Sequence, residues 1–522
     1  MRMRLSVLAL ASSSALAAGL LVGATGSAVA EPGYTEPRST VPLPTVERLP
    51  DGPIFTGALQ KLGPRGYLER EYTVTVTNPQ VYTYVGESTR VRTSAAPKSA
   101  LGDYRSRIIV RAPENAADFN GRVLVEMMNT TALVDLDIAW QQAHDYLMRD
   151  GWAYVGITVQ QTGLNALANF TRDKDRYTSL GLNLLTPRAA KDRATGSRDP
   201  SIAWDLTSQV GALVARGGAT SPLDGYAVDS LYLTGQSQMA GYAVTYINAI
   251  HPRHRVYDGF LVASRGAGAT NLRYVPPVGG ATPSTSASIA QRRISARGAP
   301  VISLQSESDP LRAPAQGEVK DFRASLWRAD ANDPTDRFRL WEVAGSSHND
   351  RWGSEQALGI LRRDAFLPFA PTCNWVDPAG VNDFPARYTW HAALDGLARW
   401  HEESVPPTSA PRVSRAADGS IKRDPAGNAL GGIRLPRIDV PVATFTPTSA
   451  GGLFCPLTGT QSPFAEATLG SLYPTLDDYV RAVESSAGRS VASGFLLQED
   501  AAALVESARR GPAADAATIR EY

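Results

Sequence analysis

The chain has 522 residues, with 52 basic and 51 acidic side chains and a net charge of +1. That balance argues against a nucleic-acid or anionic-membrane partner. The length exceeds what one simple core fills, so a core domain with a subdomain or long insertions is expected.

Residues 1–30 begin Met-Arg-Met-Arg, continue through a Leu/Ala/Gly/Val stretch and reach Ala28-Val29-Ala30. A basic start, an apolar middle and an A-x-A site predict a secretory signal peptide cleaved after Ala30, hence a secreted, extracellular protein. No later stretch is long and apolar enough to predict stable membrane insertion. Residues 31–49, rich in Pro and Thr, are expected to be an extended lead-in.

Residues 67–85 alternate polar with β-branched or aromatic side chains, as half-buried strands do. Further strands are predicted at 105–111 and 122–128, the second ending at Asn129. The pattern then changes to strand and helix in turn: helix 139–149, strand 152–159, and helix 202–216 with Asp199 or Ser201 near its N-cap. Strands follow at 231–233, 257–263, 300–305 and 338–343. Early antiparallel strands and later β–α repeats predict a mostly parallel central sheet flanked by helices. Residues 265–298 form a Gly/Pro/Ser/Thr-rich loop insertion. The predicted organisation is a core at 31–352 with N-terminal strands, and a C-terminal extension at 353–522 packed on it. Helices are expected there at 388–403, 476–484 and 498–508, with a strand-like piece at 436–445. Cys373 and Cys455, the two cysteines, are expected to form one disulfide in an exported chain. The six histidines show no metal-ligand spacing, and His251 and His254 read as a solvated helix end.

The stretch Leu231-Tyr-Leu-Thr-Gly-Gln-Ser237-Gln-Met-Ala-Gly241 reads as a strand that turns at once into a helix continuing to Ile250. Such a turn lifts the Ser237 hydroxyl clear of the sheet edge and aims the first helical N–H groups at it. The pattern is G-x-S, with Met239 where a second glycine is usual and small residues at Ala240 and Gly241. A serine hydroxyl needs a base to take its proton. Strand 300–305 leads to a turn with Glu307 and Asp309, and strand 338–343 leads to a Gly/Ser loop with His348. The order Ser237, Asp309, His348 is that of the α/β-hydrolase fold. Loops after parallel strands share one edge, so the three can converge. His348 is then the base and Asp309 its orienting acid, with Glu307 as substitute acid. The Gln238 N–H is the first oxyanion donor, and Thr130 or Thr131 in the loop after Asn129 the second. Asp135 and Asp137 could be an acid/base pair but fit better as acids at a helix start.

These residues resemble the large secreted α/β-hydrolase-domain proteins of bacteria. The matching stretches include Gly121-Arg-Val-Leu-Val-Glu-Met-Met-Asn129, Tyr257-Asp-Gly-Phe260, Gln305-Ser-Glu-Ser-Asp309, Leu340-Trp-Glu-Val-Ala-Gly-Ser-Ser-His348 and Gly431-Gly-Ile-Arg-Leu-Pro436. The resemblance spans most of 31–522 and implies an α/β-hydrolase fold and ester hydrolysis, without naming a substrate. The expectation is a serine hydrolase that cleaves small-molecule or acyl esters and needs no cofactor. A peptidase or acyltransferase on the same triad, and a catalytically inactive binding protein, are the alternatives.

Overall fold

The computed structural model describes residues 40–77, 79–94, 103–173, 175–178, 180, 200–266, 268–273, 289–312, 326–364, 380–451 and 455–517. The expected signal peptide, Asp199 and Cys373 lie outside them, so the Cys373–Cys455 pairing does too. Cys455 is fully buried.

The strands in chain order are β1 (Thr45–Arg48), β2 (Tyr67–Val76), β3 (Val81–Tyr84), β4 (Val91–Ser94), β5 (Tyr104–Pro113), β6 (Arg122–Met127) and β7 (Ala153–Ile157). Then come β8 (Ser230–Gln236), β9 (Gly259–Ala263), β10 (Val301–Ser306), β11 (Ala331–Asp333), β12 (Asp336–Val343), β13 (Ala443–Thr446) and β14 (Thr460–Pro463). Ten of them make one sheet in the order β1-β2-β5-β7-β6-β8-β9-β10-β12-β11. The run from β7 to β12 is parallel throughout. Both flanks are antiparallel. The chain therefore has the α/β-hydrolase fold, with the N-terminal strands on one side of the parallel centre.

The sheet is buried on both faces, which is why its central strands read as unbroken apolar runs. Successive side chains alternate between two cores. Leu231, Leu233, Phe260 and Val262 meet the helices Ala203–Arg216 and Gln238–Thr245 on one face. Tyr232, Leu261, Leu304 and Trp341 meet the helices Ile138–Arg149 and Arg387–Glu402 on the other. In the second of these, Trp390, Leu394 and Leu397 fall on one stripe at helical spacing. The segment expected to pack on the core thus supplies one of the layers that cover the sheet. A third, smaller core gathers Val440, Val442, Leu469, Tyr479 and Val483 beneath the helix Leu476–Ala492. That helix starts with a reciprocal cap, in which the Asp478 N–H donates to Thr475 Oγ1 and the Thr475 N–H to Asp478 Oδ2.

Several local expectations need correction. Residues 45–48 of the supposed lead-in pair with β2 as β1. The helix over 203–216 has Ile202 at its N-cap, one residue after Ser201, and the Ile202 side chain makes no cap bond. Of residues 436–445, only 443–445 are strand, as the start of β13, and Pro436–Asp439 is a Pro-led helical turn. His251 and His254 are buried. His254 Nδ1 lies 2.7 Å from Ser208 Oγ, and Tyr82 OH lies 3.1 Å from His254 Nε2. Among the described residues no helix is long and apolar enough to cross a membrane.

Candidate active site

Strand β8 ends at Gln236 and the helix Gln238–Thr245 starts two residues later, so Ser237 must turn the chain by itself. It does so at φ 57° and ψ −113°, a left-handed backbone for a residue with a side chain. Such a conformation costs on the order of 1–3 kcal/mol and persists only when its surroundings impose it. Here the Ser237 N–H donates to Ala263 O at 3.0 Å. Gly235 lets the helix start fold back tightly, because a Cβ at this position would stand 2.5 Å from the Met239 carbonyl oxygen. Met239 itself is fully buried in the core. The turn needs its small residue before the serine, and the position after it accepts bulk. Ser237 occupies the N-cap position, but its side chain makes no cap bond.

Instead, Ser237 Oγ lies 2.8 Å from His348 Nε2. His348 Nδ1 lies 2.5 Å from Asp309 Oδ1. With the carboxylate accepting at Nδ1, the neutral ring carries its proton there and Nε2 accepts from the serine hydroxyl. Asp309 is held in turn, its Oδ2 accepting the Ser306 N–H at 2.8 Å. The His348 N–H donates to Ser308 Oγ at 2.8 Å. The structure thus brings Ser237, His348 and Asp309 into one line at the edge where β8, β10 and β12 end. His348 and Asp309 are buried, Ser237 is half-buried and Gln238 is exposed, so the line opens outward at the serine.

Glu307, the substitute acid, lies elsewhere. Its Oε2 accepts the Gly345 N–H at 2.6 Å, and its Oε1 pairs with Arg423 Nη2 at 2.7 Å. Burial raises its pKa, and the Arg423 charge opposes that rise. The loop carrying His348 is gripped along its backbone. The Ala344 N–H donates to Ile433 O at 3.0 Å, Asn382 Nδ2 to Gly345 O at 2.8 Å, and the Asn349 N–H to Leu457 O at 2.9 Å. Beside His348 is a cavity of about 30 Å³, bordered by Gln142, Gln236, Leu304, Gln305 and Trp390. Next to it, burial pushes the Asp350 carboxyl up to about 6.

The Gln238 N–H opens a helix and so has no intrahelical acceptor. The Thr131 N–H is already donated to Asn129 Oδ1 at 2.8 Å, which leaves Thr130 of the two candidates. Thr130 Oγ1 sits against Gln160 and 3.5 Å from Gln238 Oε1. Asn129 ties this loop to the turn, its Nδ2 donating to Gln236 O at 3.0 Å. The contributions of Asn129, Gln160 and Gln236 have no local sequence signal, because each depends on a loop brought in by the sheet.

Asp135 and Asp137 are not a working acid/base pair. Asp135 pairs with Arg107 at 2.8 Å and Asp137 with Arg111 at 2.5 Å, and all four side chains are buried. Asp137 does stand at the start of the helix Ile138–Arg149, in its N-cap position, but its side chain makes no cap bond. Glu126 accepts there instead, from the Ala139 and Trp140 N–H groups at 2.9 and 3.4 Å. Among the described residues no group of three His, Cys, Asp or Glu side chains could hold a metal ion.

The model of a family described as an alpha/beta hydrolase domain matches residues 39–506. No curated protein matches the chain. Among solved structures, it is similar to a glucuronoyl esterase from Teredinibacter turnerae, at 13% identity over 70% of this chain and 80% of that one, with a TM-score of 0.29. An α/β serine hydrolase without lid from Xanthomonas campestris is 14% identical over 52% of this chain and 93% of its own, with a TM-score of 0.25. A thermostable esterase from Pseudomonas putida is 12% identical over 47% and 70%, with a TM-score of 0.28. At such scores the likeness says nothing of substrate.

Proposed function

Because this chain belongs to the α/β-hydrolase domain family, we propose that it is a serine hydrolase that cleaves carboxylic esters through an acyl-serine intermediate. The observation that carries this reading is the spacing of 2.8 and 2.5 Å along Ser237, His348 and Asp309. His348 Nε2 takes the hydroxyl proton as Ser237 Oγ bonds to the ester carbonyl carbon, and the carbonyl electron pair moves onto oxygen. We assign the stabilisation of that oxyanion to the N–H groups of Gln238 and Thr130. The oxyanion collapses, the bond to the alcohol oxygen breaks, and the alcohol leaves with the proton from Nε2. Water then repeats the sequence on the acyl-serine and frees the acid. Asp309 steadies the imidazolium in both halves. The reading calls for no cofactor, since nucleophile, base and donors all come from the chain. Export after removal of residues 1–30, and a Cys373–Cys455 disulfide, complete the proposal and rest on the sequence.

The test is labelling with a fluorophosphonate and turnover of p-nitrophenyl esters. Wild type should label and turn over. Ser237→Ala should lose labelling and roughly 10⁴–10⁶-fold in kcat, and Asp309→Asn should be far slower than wild type. A Ser237→Ala protein that hydrolyses esters at the wild-type rate overturns the reading. Turnover of amides and not esters would convert it to a peptidase.

A further inference from the structure

The acid loop after β10 carries two buried carboxylates two residues apart, and only Asp309 touches the imidazole. Glu307 is fully buried and still ion-paired, an arrangement that is costly unless the charge has a use. A neutral glutamine could accept the Gly345 N–H equally well. What the carboxylate adds is Arg423. We infer that Glu307 and Arg423 form a positioning pair, which fixes the loop that presents His348 to Ser237. The inference rests on the serine hydrolase reading, and neither residue touches the reacting atoms.

The surroundings explain how so distant a side chain acts there. Arg423 sits in an arch of chain whose backbone pairs Val413 with Gly431, Arg415 with Ile421 and Arg423 with Ala429. The arch is docked on the end of β12. The Ile433 N–H donates to Glu342 O at 2.7 Å, the Val413 N–H to Glu342 Oε2 at 3.1 Å, and Arg415 pairs with Glu342 at 2.9 Å. From that base Arg423 reaches Glu307, and Glu307 reaches the Gly345 N–H, three residues before His348. Gly345 has φ +78°, and a Cβ there would strike Ile438, so the loop has little freedom to find another path. The Glu307 N–H also donates to Ser346 Oγ at 3.3 Å. The two acids have separate roles. Asp309 orients the ring, and Glu307 holds the backbone from which the ring hangs.

Arg423→Met, Arg423→Lys, Glu307→Gln and the double variant Glu307→Gln/Arg423→Met test this on the full chain. The Arg423 side chain is 32% exposed, and Glu307→Gln in the double variant removes the buried charge that Arg423→Met alone leaves unpaired. Arg423→Met should lose about tenfold in kcat with KM within about twofold, as expected for a displaced base, and Arg423→Lys should recover most of it. The double variant should be no worse than the poorer single one, because the residues act as a unit. The proton NMR signal of His348 Nδ1–H should shift or broaden in Arg423→Met. Folded Arg423→Met and Glu307→Gln proteins with wild-type kcat and an unmoved imidazole signal overturn the inference, as do additive losses in the double variant. The NMR readout needs no turnover, so it judges the positioning pair even if Ser237→Ala defeats the hydrolase reading.

Discussion

Glu126 shows how a single carboxyl can tie the molecule to pH. It is fully buried, accepts from two helix N–H groups and from Tyr154 OH, and burial pushes it up from 4.5 to about 8. Its folded-state value lies above its unfolded one, so the folded protein holds the proton more tightly. The stability from that proton is complete below about pH 4.5 and is lost as pH rises toward about 8. Urea unfolding of wild type and Glu126→Gln at pH 5 and pH 8 should show the wild type losing roughly 1–3 kcal/mol relative to the variant over that interval. An unchanged gap between the two proteins would refute this. At this scale much of the candidate site is legible in the sequence, because Ser237, Asp309 and His348 each follow a strand and stand in the expected order. Glu307 is legible only as an acid near Asp309. Its actual partner, Arg423, comes from a separate part of the chain, and no local spacing announces it. The same is true of Arg107 and Arg111, which pair with Asp135 and Asp137 from β5.

The strand–turn–helix around Ser237 depends on close approach more than on helix propensity. Gly235→Ala puts a methyl against the Met239 carbonyl, and the turn must open to admit it. The expected result is a loss of roughly 1–3 kcal/mol in stability together with slower fluorophosphonate labelling, read by thermal melting and by labelling rate. A variant that labels at the wild-type rate would show that the turn tolerates the shift. The central strands are legible because both their faces are buried and they read as apolar runs. Helix Arg351–Asp364 escapes a sequence reading because the residues it buries include Gly353, Ser354 and Gln356, which make no apolar stripe. The turn at Pro436–Asp439 reads as strand, although Pro at its first position is a helix-start signal. His251 and His254 read as exposed because a polar helix end looks the same in sequence whether or not other elements close over it.

The whole molecule is held by two large cores on opposite faces of one sheet, and the later part of the chain completes one of them. Leu397 is fully buried where the Arg387–Glu402 helix crosses the sheet near Tyr232 and Gly259. Leu397→Ala should therefore destabilise the protein by about 2–5 kcal/mol, seen as a lower urea midpoint for the entire transition. A small separate transition, with the rest unaffected, would instead mark the C-terminal part as an independent unit. The fold class is readable from the order of elements, whereas the covering role of this helix is not, since an amphipathic helix does not say which sheet it will meet. Part of the backbone grip on the His348 loop comes from Asn382, Ile433 and Leu457, all of which follow the histidine in the chain. A nascent polypeptide that has already delivered serine, aspartate and histidine still lacks the pieces that set them in register. The register of the three side chains therefore depends on chain as far along as Leu457, and a product that ends before it should fail to label with a fluorophosphonate.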